Sequence, residues 1–185
     1  EGNIAYWHGN FMPKRNPQLD WSKPVDGSTS ATEWTALHMV DEMVTLYNPA
    51  TGWIQNCNSN PFTSSGSSSL KKENYPVYMA PDAENFRGIN AVKVWSNAQA
   101  LTIDKVIEGG YTRYLPAFET LIPALQKAWQ QKGFVPDSLN KQMEEAVQIL
   151  SAWDLKTDTR SIATTLAIEW GQRLLPAIQR TEVAA

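Results

Sequence analysis

The distribution of hydrophobic residues changes near residue 83. Residues 1–82 contain short β-prone runs between stretches rich in proline, glycine and serine, whereas residues 83–185 place apolar residues at helical spacing. We therefore predict an α+β chain, with a strand and loop region over 1–82 and a cluster of four to five helices over 83–185. Because a lone hairpin is marginal in water, we expect the strands to join a larger sheet.

Three segments of the first region carry local signals. Residues 4–8 are short, β-prone and bounded by glycine, which predicts a strand. The β-prone runs 44–47 and 53–56 flank an Asn-Pro-Ala-Thr-Gly sequence, and proline and glycine there favour a turn. We expect these two runs to form a hairpin. The serine-rich segment 62–72 is expected to be mobile.

The second region shows capped helical stripes. The Gly109–Gly110 pair should end a helix that carries Ile103, and the stripe over 115–129 should end near Gly133, with a kink at Pro123. Three residues suited to cap helices precede apolar stripes: Thr102, Asp137 and Asp158.

Composition excludes several classes of protein. Sixteen Lys and Arg against nineteen Asp and Glu leave a net charge of −3, so no basic surplus exists for binding nucleic acid. The single cysteine, Cys57, excludes an internal disulfide and a multi-cysteine metal site. No apolar run approaches the length of a membrane span, and no signal peptide is recognisable. Because the sequence opens at Glu1 directly before a predicted strand and does not start with Met, we interpret it as a piece of a longer protein.

The usual catalytic motifs are missing from the sequence, which has no GxSxG, HExxH, P-loop or GxGxxG pattern. His8 is expected to serve packing or to lie on the surface. His38 with Asp41 and Glu42 is a candidate metal trio, but the spacing matches no helical ligand face. Cys57 has no histidine near it in sequence, which favours a small buried hydrophobic role over a nucleophile.

Alternating asparagines are the most informative feature. Asn56, Asn58 and Asn60 follow one another at the end of a predicted strand, where residues two apart point to the same face. One interpretation is a cluster of turn-capping side chains. The other is a row of neutral amide donors aimed at developing negative charge, as in an oxyanion hole.

Five segments, in order, resemble the β-subunit of the penicillin acylase family, a group of N-terminal nucleophile hydrolases. These are GNIAYWHGN (2–10), the DW…PxDG stretch (20–27), GWIQNCNSNP (52–61), DAENFRG (82–88) and the WD segment with the following helix (150–170). In the order of the family, these segments are spread over nearly the whole sequence. The resemblance implies that the sheet belongs to a larger αββα fold.

The resemblance also implies an activity. Family members are periplasmic or secreted precursors that expose an N-terminal serine, which cleaves N-acyl amides such as penicillins or acyl-homoserine lactones. It assigns Asn58 to the oxyanion hole and Arg87 to orienting that asparagine, so the two side chains should lie within reach of each other. Implied partners are a small N-acyl substrate and the remaining α- and β-chain segments of the same precursor, with neither nucleic acid nor membrane.

The sequence departs from the family pattern in one important respect, since it contains no N-terminal serine. We therefore expect this chain to be inactive alone. We expect no cofactor in this chain, while the family allows calcium in the full-length enzyme, and Asp82 does not align well enough to be named a ligand. The alternative is a non-catalytic ligand- or partner-binding module, which exposed, coplanar tryptophan rings would favour.

Overall fold

The computed structural model describes residues 2–9, 11–131 and 136–183, with the backbone alone for residue 175 and residues 178–183. The predicted helix end near Gly133 lies outside these residues. The chain divides into two compact units, Glu1–Gly110 and Tyr111–Ala185. In the described ranges, a two-stranded sheet and five α-helices confirm the predicted α+β class.

The sheet of the first unit pairs strands distant in sequence. Strand β1 (Ala5–Trp7) runs antiparallel to β2 (Thr45–Tyr47), with Tyr6 opposite Leu46. The predicted hairpin is therefore wrong, because β2 pairs with β1 and the run 53–56 forms no strand. The intervening turn does form, with Gly52 N–H donating to Pro49 O at 2.9 Å. After the turn the chain bonds to the serine-rich segment instead, since Gln55 N–H donates to Ser64 O at 2.8 Å.

The serine-rich segment is folded, contrary to the predicted mobility. Its residues take part in three 3₁₀ turns, at Pro61–Thr63, Gly66–Ser68 and Lys72–Asn74. Two more 3₁₀ turns of the first unit lie at Ser30–Thr32 and Val40–Glu42. Ser64 and Ser65 are buried. The Ser65 hydroxyl bonds to Thr51 Oγ1 and donates to Trp53 O at 2.9 Å. Serine hydroxyls thus satisfy buried backbone groups, which composition alone does not reveal.

Two helices complete the first unit. Helix α1 (Phe86–Ser96) begins at the N-cap Asn85, and α2 (Ile103–Gly110) ends at the predicted glycine pair. As predicted, Thr102 caps α2, because its Oγ1 accepts from Lys105 N–H at 3.3 Å. The buried core of this unit lies elsewhere, around Met43, Val44 and Met79.

The second unit is helical. It contains α3 (Phe118–Gln130), α4 (Asp137–Ser151) and α5 (Ile162–Val183), and α3 continues through Pro123. Its core consists of Phe118, Ile122, Leu150 and Ala167. None of the helices in the described part of the chain has the length and apolar composition required to span a bilayer.

Two of the predicted caps are wrong. Asp137 is the first residue of α4, whose N-cap is Pro136, and no side chain caps that helix. The Ser161 hydroxyl, rather than Asp158, accepts from the first turn of α5, from Thr164 N–H at 3.1 Å. The Asp158 carboxylate instead accepts from Arg160 N–H and pairs with the Arg113 guanidinium at 2.9 Å.

Candidate active site

The three alternating asparagines lie in a turn rather than along one strand face. Asn56 Oδ1 accepts from Asn58 N–H at 2.7 Å, and Asn60 Oδ1 accepts from Phe62 N–H at 2.9 Å. Asn58 has a φ of +56°, in the left-handed region that asparagine tolerates better than most residues. The expected shared face is wrong, and turn capping describes Asn56 and Asn60. Asn58 is different, because its carboxamide bonds to another element.

Helix α1 brings Arg87 to the Asn58 side chain. Arg87 Nη2 donates to Asn58 Oδ1 at 3.3 Å. Since a guanidinium has only donors, it must face the carbonyl oxygen of the carboxamide and leave the NH₂ group for another acceptor. Among the described residues, Asn58 Nδ2 has no hydrogen-bond partner, and the side chain is exposed. In this arrangement, the Arg87 guanidinium binds the oxygen of the Asn58 carboxamide, and the NH₂ group of the same carboxamide is available as a donor.

Asn85 joins α1 to the turn that contains the three asparagines, residues 56–60, which we call the asparagine turn. Its Oδ1 accepts from Gly88 N–H at 3.0 Å, which caps the helix. Its Nδ2 donates to Cys57 O at 2.9 Å and to Asn58 O at 3.3 Å. Sequence analysis did not single out this residue, although an asparagine directly before a helical segment is a typical N-cap signal.

A glycine permits the close approach of turn and helix. Gly88 is buried, and a Cβ at this position would overlap the Glu84 carboxylate and lie 2.9 Å from Ser59 Oγ. The Glu84 carboxylate is itself held, accepting from Thr63 Oγ1 and from Asn85 N–H at 2.8 Å. A side chain at residue 88 would therefore require Glu84 or Ser59 to move before the first turn of α1 could approach the asparagine turn this closely.

The sheet also contacts the asparagine turn. Asn56 Nδ2 donates to Tyr6 Oη at 3.1 Å, and Tyr6 Oη also lies 3.1 Å from His8 Nδ1. Burial raises the pKa of Tyr6, and the bond from Asn56 opposes that shift only in part. The phenol therefore keeps its proton at neutral pH and can accept from Asn56 while donating to His8. His8, expected to be a packing or surface residue, takes part in this contact.

Two residues of the candidate metal trio, His38 and Glu42, are instead engaged in hydrogen bonds with protein groups. His38 Nε2 lies 2.9 Å from Tyr78 Oη and Nδ1 lies 3.2 Å from Glu42 Oε2. A bond from Lys14, with help from Met39 N–H, lowers the pKa of Glu42 to about 2. In the described ranges, no three histidine, cysteine, aspartate or glutamate side chains converge in a way that could hold a metal ion. Cys57 is a free, partly buried thiol.

The tryptophans do not form an exposed platform. Trp7 and Trp34 are 55% and 62% exposed, while the other six are partly buried. Trp34 lies beside the Arg15 guanidinium at 5.3 Å. Phe118 packs against Trp153 and Trp170, and no tryptophan stacks on another in the described part of the chain. The coplanar exposed rings that would favour a binding module are not observed there.

Comparison with known proteins identifies the family. The family model described as penicillin amidase matches residues 1–184. Among solved structures, the thermostable penicillin G acylase from Alcaligenes faecalis, in its orthorhombic form, superposes with a TM-score of 0.56 at 22% sequence identity. The match covers 85% of this chain and 26% of that chain, so this chain spans about a quarter of its length. As its ordered motifs predicted, the chain belongs to the penicillin amidase family.

Proposed function

We propose that this chain is part of an amidohydrolase that cleaves N-acyl amide bonds, such as those of penicillins or acyl-homoserine lactones. Its nucleophile would be an N-terminal serine located outside this chain. Family membership supports the reaction class. The observation that carries the site assignment is the bond from Arg87 to Asn58 Oδ1, which leaves the Asn58 amide to act as a donor.

In the proposed mechanism the serine hydroxyl attacks the amide carbonyl and its own α-amine takes the proton. Negative charge develops on the carbonyl oxygen, and Asn58 Nδ2 donates a hydrogen bond to it. The Arg87 guanidinium at the opposite end holds the carboxamide and, through its charge, strengthens the donor. The C–N bond then breaks with proton transfer to the leaving amine. Water hydrolyses the acyl-enzyme to the carboxylic acid.

The wider context follows from the same proposal. The β1–β2 pair would be part of a larger αββα sheet built with the remaining α- and β-chain segments of a periplasmic or secreted precursor. A small N-acyl compound would be the substrate, and calcium would be a cofactor of the full-length enzyme. This chain alone would have no amidase activity above buffer, and activity of the isolated chain would contradict the assignment of the nucleophile.

The decisive experiment is Asn58→Ala in the full-length enzyme, assayed on an N-acyl amide that the wild type hydrolyses. Removing an oxyanion donor should lower kcat by about 10²–10³-fold, or about 2.7–4 kcal/mol, with little change in KM. Asn60→Ala is the matched control, because Asn60 caps Phe62 in the same turn and lacks the contact with Arg87. It should lower stability and leave kcat unchanged. Wild-type turnover by Asn58→Ala would remove Asn58 from the mechanism.

A further inference from the structure

We propose that Asn85 is a positioning residue for the oxyanion donor. Its carboxamide would set the orientation of Asn58 relative to Arg87, and the inference rests on the proposed role of Asn58. Asn85 would not touch the substrate. It would act through the backbone of the asparagine turn, to which both of its side-chain donors are directed.

The Asn85 carboxamide bonds to both elements. The oxygen accepts from Gly88 N–H and thereby caps the first turn of α1, which begins at Phe86. The NH₂ group carries two hydrogens, and the two carbonyl groups of Cys57 and Asn58 accept from them. The helix that carries Arg87 and the turn that carries Asn58 are thus both hydrogen-bonded to the same planar carboxamide group.

By comparison, the direct bond between Asn58 and Arg87 fixes the position of the Asn58 side chain only weakly. Both side chains are exposed, and their donor–acceptor distance of 3.3 Å is long for a charge-assisted hydrogen bond. Asn85 is partly buried, and its bond to Cys57 O is shorter, at 2.9 Å. Asn58 also has a left-handed backbone, which surrounding contacts must maintain. The geometry of the donor therefore depends on Asn85 as well as on Arg87.

Asn85→Asp separates capping from positioning. Aspartate is as good an N-cap acceptor as asparagine, so α1 should keep its first turn. The variant lacks the NH₂ donors and places a carboxylate oxygen against two carbonyl oxygens. Asn85→Ser provides the same test without a charge, since serine also caps helices but has no amide.

In the full-length enzyme, both variants should lower kcat on the order of 10- to 100-fold with little change in KM, as expected for a misplaced catalytic group. Added to Asn58→Ala, neither should lower kcat further, because Asn85 acts through Asn58. The control is Asn97→Asp at the other end of α1, where Asn97 Nδ2 donates to Lys93 O at 2.8 Å. It loses a similar bond and should keep wild-type kcat per folded enzyme.

The outcomes separate this inference from the proposed function. Wild-type kcat in Asn85→Asp and Asn85→Ser, with Asn58→Ala impaired, would overturn the role of Asn85 alone. Unimpaired Asn58→Ala would overturn the proposed function itself. Equal losses of kcat in the Asn85 variants and Asn97→Asp, or additive losses on the Asn58→Ala background, would show that Asn85 contributes only general stability and would also overturn the inference.

Discussion

The two units are stabilised by different kinds of contact. In the helical unit, apolar side chains from α3, α4 and α5 converge on Phe118, Ile122, Leu150 and Ala167. In the first unit, short turns are held by side chains bonded to backbone groups, as at Asn48, Ser65 and Asn85. The candidate site lies entirely in the first unit. Precise polar contacts, rather than apolar burial, therefore determine the position of the Asn58 carboxamide.

The largest expected effect is a loss of apolar packing in the helical unit. Phe118 is 5% exposed and packs edge-on against Trp153 at 5.2 Å between ring centroids. Phe118→Ala should cost about 3–5 kcal/mol, because the ring leaves a cavity. Hydrogen exchange should show the loss in peptides from α3 to α5. Phe11→Ala is the control, since Phe11 is 87% exposed. Similar losses of protection in both variants would contradict the packing described here.

A smaller effect is expected when a polar contact of the first unit is removed. Ser65 is fully buried, and Ser65→Ala would leave the Trp53 carbonyl and the Thr51 hydroxyl without this partner. The expected cost is about 1–3 kcal/mol, measured as increased exchange of amides in 51–69. Ser67→Ala, at an exposed position of the same segment, should change little. Unchanged exchange in Ser65→Ala would mean that the turn does not depend on its hydroxyl.

The smallest expected effect is a change in how strongly the stability of the protein depends on pH. The Lys14 ammonium lies 2.7 Å from the Glu42 carboxylate, and this bond is the main cause of the fall in the Glu42 pKa to about 2. A depressed pKa contributes stability that is present above the ordinary value of 4.5 and is lost as pH falls toward 2. Thermal unfolding between pH 6 and about 2 should therefore show a steeper fall for the wild type than for Glu42→Gln. Parallel curves would contradict this contribution.

A fall in pH should lower the stability of the first unit more than that of the second. Among the described carboxyl groups, those with lowered pKa values are Asp20, Asp26 and Glu42 in the first unit and Asp158 in the second. Each is exposed, so each contribution is modest and screened by salt. The polar first unit carries more of them, which matches its dependence on directed bonds.

Periodicity predicted the helices well because their contacts are local. Thr102 and Gly109–Gly110 gave α2 its correct limits, and apolar spacing indicated α3 to α5. The strand pairing was wrong, since the turn at 48–52 suggested a neighbouring partner while Tyr6 pairs with Leu46. No local pattern encodes that long-range register. A capping signal, as at Asp158, also does not decide between nearby candidates such as Ser161.

The candidate site was only partly predictable. Asn58 and Arg87 were identified by motif resemblance, and the structure brings their side chains together. The argument that placed Asn58 on a strand face was wrong, because the residue lies in a turn with positive φ. Asn85 was missed, since its importance arises from bonds to residues 27 and 28 positions away. Spacing along the chain does not reveal such a junction.

The positive φ of Asn58 narrows the choice of amino acid at this position to very few. Glycine would adopt the backbone readily but would bring no side-chain donor, and in the proposed role aspartate would carry a charge of the same sign as the oxyanion. Glutamine would keep the amide but tolerates the left-handed region less well than asparagine does. Asparagine meets both the backbone demand and the proposed role as a donor, so changes to this loop should begin at other positions.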